Sequence, residues 1–329
     1  MAAVRDQIDS GTPTIAAQIL RAGHPGAHIT LVVHTTPARV GTGAASAGPS
    51  GGSAPFGYSA CPGAGRQQPA QGTRETRMSA RRHAFGIDIG GSGVKGAAVD
   101  LETGELRHER IKIATPQPST PDAVATAVAQ LIAQADWDGP VGLTLPCVVL
   151  DGVAHTAANV DKSWIGTDAR TLFSDALDGR EVTVLNDADA AGLAEDRFGA
   201  ARDIDGLVLL LTFGTGIGSA LLNNGTLVPN TELGHLEIGG METEHRAAAS
   251  VKEREDLSYP EWATRVSTVL RGLEDLFWPT VFVAGGGISR DADQWIPLLT
   301  NRTRVIPADL RNTAGIVGAA MAVDAGITP

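Results

Sequence analysis

The sequence predicts an α/β protein with two similar halves and a ligand-binding cleft between them. Two observations support this fold class. A strand, a glycine-rich turn and two further strands occur twice along the 329 residues. After each set, segments with helical spacing alternate with short apolar runs that are typical of buried strands. In folds of this kind, ligands bind in the cleft between the two α/β halves.

Residues 1–77 differ in composition from the rest of the chain. The stretch GTGAASAGPSGGSAPFGYSACPGAGRQQPAQGTRE is rich in small residues and has no period. It contains too little apolar surface to offset the entropy lost on ordering. One strand-like segment, AHITLVVHTT, does not make a domain. We expect 1–77 to be a disordered leader or the product of an overlong start, with the folded unit beginning at Met78.

The first half begins with a hairpin: HAFGIDIG predicts a strand, GGSG a turn and VKGAAVD a returning strand. A third strand is expected over 105–113. STPDAVATAVAQLIAQA predicts a helix with Pro121 in its first turn. VGLTLP then predicts a buried strand, TDARTLFSDAL a helix, EVTVLN a strand, and DADAAGLAEDRFG a helix that ends at Gly199.

The same order returns in DGLVLLLTFGTGIGSALLNNGTLV, which predicts three strands joined by a glycine turn and an Asn-Gly turn. Long helices are expected around 247–257 and 260–277. TVFVAGGGI predicts a strand that enters a glycine loop, DADQWIPLL a helix, TRVIPA a strand and NTAGIVGAAMAVDA a closing helix. The expected domains are 78–186, completed by the helix over 312–325, and 187–311.

Charge and cysteine content exclude several classes of function. Residues 1–77 hold six Arg and three acids, whereas residues from Met78 onward hold 20 basic and 34 acidic residues. Such an acidic body is a poor nucleic-acid binder. No apolar run reaches the roughly 20 residues of a membrane span and no signal peptide is evident, so we expect a cytoplasmic protein without a membrane partner. Cys61 and Cys147 lack metal-ligand spacing, which predicts neither a zinc site nor a disulfide.

Three glycine-rich turns are candidates for phosphate binding. The first glycine turn is Asp88–Gly93, the second is Thr212–Gly218 and the third is Gly285–Gly287. Glycine lets backbone amides approach phosphate oxygens, and two turns at matching places can hold one phosphate chain from both sides. A plain hairpin turn is the alternative for the first. We expect the phosphate donor to contact Asp88, Gly90, Gly91, Ser92, Gly93, Lys95, Gly214, Thr215, Gly216, Gly285, Gly286 and Gly287, with Asp88 holding Mg²⁺ through water.

The stretch VLNDADAAGLAED places an amide and two carboxylates at the start of a helix. Taken alone, it favours Asp187 as the N-cap. The positive end of the helix is expected to lower the pKa of Asp187 and keep it ionised. Asp189 is interpreted as a complement to the helix dipole without a chemical role.

Together these motifs resemble the actin-like ATPase superfamily, with its two duplicated ribonuclease H-like domains, and within it the ROK (repressor, open reading frame, kinase) family of sugar kinases. The resemblance rests on GIDIGGSGVKGAAVD, LNDADAAGLAE, LTFGTGIGSALL, TELGHLEIGG and VAGGGIS, in family order over 84–323. Within the family, LTLPCVV, NVDKSWIGTD and EHRAAASVKEREDLSYPEW are most similar to the actinobacterial polyphosphate glucokinases. EIGGMETEHRAAAS lacks the cysteines of the family's zinc motif, as that branch does.

The resemblance implies a kinase that phosphorylates the 6-hydroxyl of glucose with inorganic polyphosphate, and also with ATP, using Mg²⁺. It also implies that the protein is a homodimer. Asp187 is implied to be the general base. A long polyphosphate could follow a basic track of Lys162, Arg246, Lys252 and Arg254, which are otherwise solvated surface charges. The glucose-binding residues implied are Asn159, Asn186, Asp187, Glu232, His235 and Glu244, although Glu232 with His235 also reads as a surface pair and Asn159 as an ordinary loop residue.

Three alternative functions remain at this point. The first is an ATP-dependent ROK glucokinase or N-acylhexosamine kinase. The second is a ROK-type sugar-responsive repressor, which would need an N-terminal helix-turn-helix that the Gly- and Pro-rich leader does not show. The third is a catalytically inactive relative, which is disfavoured because the Asn-Asp pair and the first two glycine turns are complete.

Overall fold

Two five-stranded sheets of equivalent topology form the frame of the protein in a computed structural model, which describes residues 82–329. The expected leader, 1–77, lies outside the described residues. Within the described part of the chain, no helix is long and apolar enough to cross a bilayer. The predicted fold class, two similar α/β halves, is confirmed.

The first sheet comes from the first half of the chain and has the order β3-β2-β1-β4-β7. Its hairpin strands are antiparallel, whereas β1, β4 and β7 run parallel, so their carboxyl ends meet at one edge. The strands of this half are β1 (His83–Gly90), β2 (Gly93–Asp100), β3 (Ile111–Ile113), β4 (Val141–Leu145), β5 (Val149–Leu150), β6 (Val153–Ala154) and β7 (Val182–Asn186).

The third strand is shorter than predicted. The continuous strand covers Ile111–Ile113, Leu106 forms an isolated bridge with Val99 of β2, and the charged residues 107–110 between them are exposed. Two helices, α1 (Pro121–Ala135) and α2 (Ala169–Ala176), cover one face of the sheet and bury side chains such as Val128 and Phe173 in its core. A 3-10 helix, Lys162–Trp164, lies between β6 and α2.

The second sheet repeats this plan with the order β10-β9-β8-β13-β14. Its strands, with the small β11–β12 pair, are β8 (Leu207–Phe213), β9 (Ile217–Asn223), β10 (Thr226–Val228), β11 (Glu237–Ile238), β12 (Met241–Glu242), β13 (Val281–Gly285) and β14 (Val305–Pro307). The helices from the middle of the chain to its end are α3 (Asp187–Phe198), α4 (Thr243–Ala247), α5 (Ala249–Arg254), α6 (Tyr259–Phe277), α7 (Ala292–Trp295) and α8 (Ala314–Ala325), and 3-10 helices occupy Leu233–His235, Gly287–Asp291, Ile296–Leu298 and Arg311–Thr313.

Two predicted helices of this half are broken. The helix expected over 247–257 divides at Ala248, because Ser250 bonds to the carbonyls of Gly214 and Thr215 and so holds the start of α5 against the second glycine turn. The helix expected in DADQWIPLL is one turn of α-helix followed by a 3-10 turn, since Pro297 supplies no backbone N–H.

The closing helix α8 returns to the first sheet and also packs against α3. Its backbone approaches so closely that an ideal Cβ on Gly142 would lie 1.8 Å from the carbonyl oxygen of Ala319. A Cβ on Gly318 would lie equally close to the carbonyl oxygen of Ala190 in α3, again at 1.8 Å. The division into domains 78–186 with 312–325, and 187–311, stays a prediction.

Replacing Gly142 with alanine is expected to lower the free energy of unfolding by about 3 kcal/mol, because the new methyl group must displace helix backbone and not a flexible side chain. Urea unfolding measures the change. Gly287→Ala is the matched control: nothing lies within 4 Å of its ideal Cβ, so its stability should stay within about 0.5 kcal/mol of the wild type. Equal stability of the two variants would contradict the close approach of α8.

Candidate active site

A cavity of about 540 Å³, here the main cavity, receives side chains from both halves of the chain. All six residues predicted to bind glucose line it: Asn159, Asn186, Asp187, Glu232, His235 and Glu244. Four predicted donor contacts line it as well: Gly214, Thr215, Gly216 and Gly286. The remaining predicted donor residues lie outside its lining, namely Asp88, Gly90, Gly91, Ser92, Gly93, Lys95, Gly285 and Gly287.

Asn186, and not Asp187, is the N-cap of α3. The Asn186 side-chain oxygen accepts hydrogen bonds from the backbone N–H groups of Ala188 and Asp189, at 2.8 and 3.2 Å. Its Nδ2 donates to the carbonyl of Cys147 at 3.1 Å. The predicted N-cap was therefore one residue too late. Because Asn186 takes the capping role, the carboxylate of Asp187 is free to face the cavity at the first residue of the helix.

The pKa of Asp187 is raised to about 7, mainly by desolvation and then by the negative charge of Asp88. The hydrogen bond from the backbone N–H of Ala188 opposes this shift. Water reaches the side chain, since it is exposed in the main cavity, yet protein surrounds it in most other directions. The expectation that the helix end lowers this pKa was wrong, because it considered the helix and ignored the cavity walls and Asp88.

Asp88 lies at the end of β1, beside the first glycine turn. Its Oδ1 accepts a hydrogen bond from Thr144 at 3.2 Å, and its Oδ2 lies 3.5 Å from Lys95 Nζ. The first glycine turn approaches the rim of the main cavity, because an ideal Cβ on Gly91 would lie 3.4 Å from the carbonyl oxygen of Asn159. The Asp88 carboxylate therefore contacts the Lys95 ammonium group and the Thr144 hydroxyl, and it interacts electrostatically with Asp187.

His235 is surrounded by carboxylates from the segment 232–244. Its ring nitrogens lie 4.0 Å from Glu232, 3.4 Å from Glu242 and 3.8 Å from Glu244. Burial raises the pKa of Glu232, Glu244 raises it further, and His235 opposes both effects. His235, Glu242 and Glu244 each place one ligand atom within 4.8 Å of the others, which is close enough to hold a cation. The expected lack of zinc stays a prediction.

Glu244 connects α4 to the second glycine turn. Its Oε2 accepts from the backbone N–H of Ile217 at 3.4 Å, and an ideal Cβ on Gly216 would lie 2.4 Å from the same oxygen. The third glycine turn adjoins the second, because Gly286, at φ 83°, lies against the backbone of Phe213. A separate cavity of about 330 Å³, the side cavity, opens next to these turns and has Glu253 and Asp291 in its lining.

Two polar residues at this site were missed from the sequence. Asn230 bonds to both backbone groups of Val149: its Oδ1 accepts from the N–H at 2.9 Å and its Nδ2 donates to the carbonyl at 2.8 Å. Its own N–H donates to Asp189 at 2.7 Å. Asn230 thereby attaches the loop that carries Glu232 to the first half. The φ of Asn230 is 56°, a left-handed conformation that Asn tolerates in turns, so an Asn directly after Pro229 was the signal available in the sequence.

Asp189 is fully buried and has a structural role that the dipole interpretation overlooked. Burial raises its pKa to about 7, against the effect of the Asn230 N–H, and its Oδ1 has no hydrogen-bond partner among the described residues. The signal in the sequence was the spacing of Asp189. It lies four residues before the apolar Leu193 and therefore on the same, buried face of α3.

Three members of the expected basic track have partners close to them, and the track itself stays a prediction. Arg246 donates to the carbonyl of Ile238 at 2.8 Å, and Lys252 lies over the ring of Tyr259 at 4.4 Å from its centroid. Arg254 pairs with Glu255 at 3.3 Å. These side chains therefore have local partners that account for their positions. Lys162 is exposed in its 3-10 helix.

Cys147 is a buried thiol behind the cavity wall. Burial, together with the charge of Asp187, raises its pKa to about 12, so it carries no thiolate at neutral pH. The other cysteine, Cys61, lies outside the described residues, and the expectation about a disulfide stays a prediction.

Comparison with known proteins agrees with the fold and identifies the family. The ROK family model matches residues 84–248. The polyphosphate glucokinase of Mycobacterium tuberculosis (strain CDC 1551 / Oshkosh) is 62% identical over 248 residues, which are 75% of this chain and 94% of that protein. The polyphosphate glucokinase of Mycobacterium leprae (strain TN) is 57% identical over 263 residues, covering 80% and 81%.

Solved structures give the same result. The inorganic polyphosphate/ATP-glucomannokinase from Arthrobacter sp. strain KM is 49% identical, with a TM-score of 0.71 over 75% of this chain and 100% of that one. A ROK family glucokinase from Streptomyces griseus, in complex with glucose and AMPPNP, matches in fold with a TM-score of 0.62 at 24% identity over 73% and 98%. The family match over half of the chain and the high identity to whole relatives lead to one conclusion: this protein is a member of the ROK family, with the actin-like fold of its sugar kinases.

Proposed function

We propose that this protein transfers a phosphoryl group from inorganic polyphosphate to the 6-hydroxyl of glucose. The main observation in support is the main cavity, in which the carboxylate of Asp187 shares one space with Glu232, His235 and the second glycine turn. The names of the relatives, polyphosphate glucokinase and polyphosphate/ATP-glucomannokinase, specify the same donor and a hexose acceptor.

The polar side chains of the main cavity suit a sugar. Neighbouring hydroxyls need donors and acceptors placed close together, and a site of this kind rejects analogues that lack one hydroxyl. Glu232 and Glu244 supply acceptors on either side of His235, and Asn159 supplies an amide from the opposite half. The amide of Asn186 is mostly engaged in capping α3, so its contribution is one remaining N–H and the fixed position of Asp187.

Asp187 is proposed as the general base. Phosphoryl transfer passes through a loose transition state, so the base accepts the hydroxyl proton late and the protein contributes mainly positioning and charge. A pKa of about 7 suits this role, because the group is ionised often enough to act and basic enough to take the proton.

The donor is proposed to lie between the first two glycine turns, with its terminal phosphate toward Asp187. Asp88 suits a divalent cation, since Asp88 and Asp187 together make the potential here more negative and the Asp88 side chain is 23% exposed. Asp88 would hold Mg²⁺ through water, and the ion would neutralise charge on the phosphate oxygens.

ATP is proposed as a second donor. The side cavity adjoins the second and third glycine turns and offers room beyond a phosphate chain, while its acids Glu253 and Asp291 suit hydroxyl groups better than phosphates. A coupled assay for glucose 6-phosphate, run with polyphosphate and with ATP in turn, tests both donors. Turnover with ATP alone would favour the ATP-dependent kinase instead. The cytoplasmic location, the homodimer and the lack of nucleic-acid and membrane partners stay predictions.

Asp187→Asn is expected to lower kcat by about two to four orders of magnitude, because the amide cannot accept the proton. Glucose affinity should stay within a few fold, since the amide keeps the size of the side chain. Asp203→Asn, at an exposed surface acid, is the control and should turn over normally. Wild-type turnover in Asp187→Asn would refute the assignment of the base.

The value of kcat/KM for glucose is expected to fall below about pH 7, where Asp187 becomes protonated. The expected fall is about tenfold for each pH unit. Desolvation is the main cause of the raised pKa and Asp88 the next. In Asp88→Asn the acid limb should therefore move to lower pH, whatever the loss in rate, whereas Asp203→Asn should leave it in place. An acid limb that is unmoved in Asp88→Asn would argue against the coupling of the two acids.

A further inference from the structure

A row of polar side chains crosses the first sheet beside the first glycine turn. Lys112 on β3, Lys95 on β2 and Asp88 on β1 are direct cross-strand partners. Directly opposed residues project from the same face of a sheet. Lys95 lies 3.5 Å from Asp88 and so has its charge partner within the row, whereas Lys112 stands at the outer edge and is exposed.

The side chain of Lys112 lies across the glycine turn. An ideal Cβ on Gly93 would be 2.8 Å from the Cε of Lys112, which places the adjacent ammonium group at the turn itself. The absence of a side chain at Gly93 thus lets a cation approach the proposed donor site from the edge of the sheet.

Two arginines lie on the same side, where α8 begins. Arg110 donates to the carbonyl of Asn312 at 3.2 Å, and Arg311 is the residue directly before Asn312. The start of α8 is also beside the row, since an ideal Cβ on Gly315 would lie 3.2 Å from Asp88 Oδ1. Arg110 and Arg311 are both exposed. We call Lys95, Lys112, Arg110 and Arg311 the edge cluster.

The edge cluster contrasts with its surroundings. The whole chain carries a net charge of −11, whereas segment 107–112 carries +2 with its histidine neutral. On the other side of the donor site, the side cavity holds Glu253 and Asp291, which would repel a polyanion. Of the residues in the expected basic track, three have partners elsewhere.

We propose that the edge cluster binds the internal phosphates of long-chain inorganic polyphosphate, on the side of the first glycine turn away from the side cavity. This inference rests on the proposed function, and it names the part of the surface along which a polymeric donor continues. Lysine and arginine are the side chains that bind phosphate most strongly, and every internal phosphate brings one negative charge. In this proposal, the nucleoside of ATP and the few phosphates of a short chain end before Arg110 and Arg311.

The test compares double variants of the whole chain. Arg110→Gln with Lys112→Gln removes two charges from the edge cluster and leaves the Lys95–Asp88 pair in place. Arg202→Gln with Arg304→Gln removes two exposed charges elsewhere. Lys162→Gln with Arg254→Gln tests the rival route. Arg110→Lys with Lys112→Arg keeps the charge and shows whether charge is what matters.

Equilibrium binding is measured for long-chain polyphosphate, tripolyphosphate and ATP, without glucose and at several salt concentrations. In the edge-cluster variant, long-chain polyphosphate should bind about tenfold more weakly, and the slope of log Kd against log salt should fall by about 1.5, because two phosphate contacts are lost. Tripolyphosphate and ATP should stay within twofold of the wild type. The charge-preserving variant should bind like the wild type, and the Arg202 and Arg304 double variant should as well.

The proposal is overturned if the edge-cluster variant binds long chains as the wild type does, if all three ligands weaken equally, or if the Lys162 and Arg254 variant shows the larger loss. These outcomes concern binding alone and leave the proposed function standing. The proposed function fails separately, if the wild type forms no glucose 6-phosphate from polyphosphate. In that case, weaker binding of long-chain polyphosphate by the edge-cluster variant would still support the proposed binding role of the edge cluster.

Discussion

Contact between the backbone of α8 and its neighbours is the constraint on which the rest of the molecule depends. α8 closes the chain, yet it packs against strands from the beginning of the described residues and against α3 from the middle. Three glycines make this possible: Gly86 and Gly142 on the sheet side, and Gly318 within α8, where any side chain would meet a carbonyl oxygen. The two halves are thereby held together along one helix.

The parallel part of the first sheet then determines where the acids lie. β1, β4 and β7 end at one edge, so Asp88, Thr144 and the Asn186–Asp187 pair come together although they are far apart in sequence. Negative charge accumulates as a result. Asp88 and Glu232 both raise the pKa of Asp187, and burial raises the pKa of Glu232. A site with this charge favours ligands that bring cations with them.

Local sequence signals predicted local structure well. Pro121 and the apolar spacing after it predicted the position of α1, and the glycine turns predicted both hairpins. The misses involve contacts across long distances in sequence. Asn230 bonds to Val149 at a separation of 81 residues, and Asp189 bonds to Asn230 at a separation of 41. The pKa of Asp187 was misjudged for the same reason, since a helix end is visible in a sequence whereas Asp88 and the walls of a cavity are not.

The bonds of Asn230 have a mechanical consequence. The loop that bears Glu232 leaves β10 of the second sheet, yet two hydrogen bonds tie it to Val149 of the first half. If the halves rotate against each other, the axis must pass near this point or those bonds must break. Atoms close to a pivot travel little and distant atoms travel far. Glu232, two residues from Asn230, would therefore move little relative to the first half during such a rotation, whereas parts of the second half that lie farther from Val149 would move more.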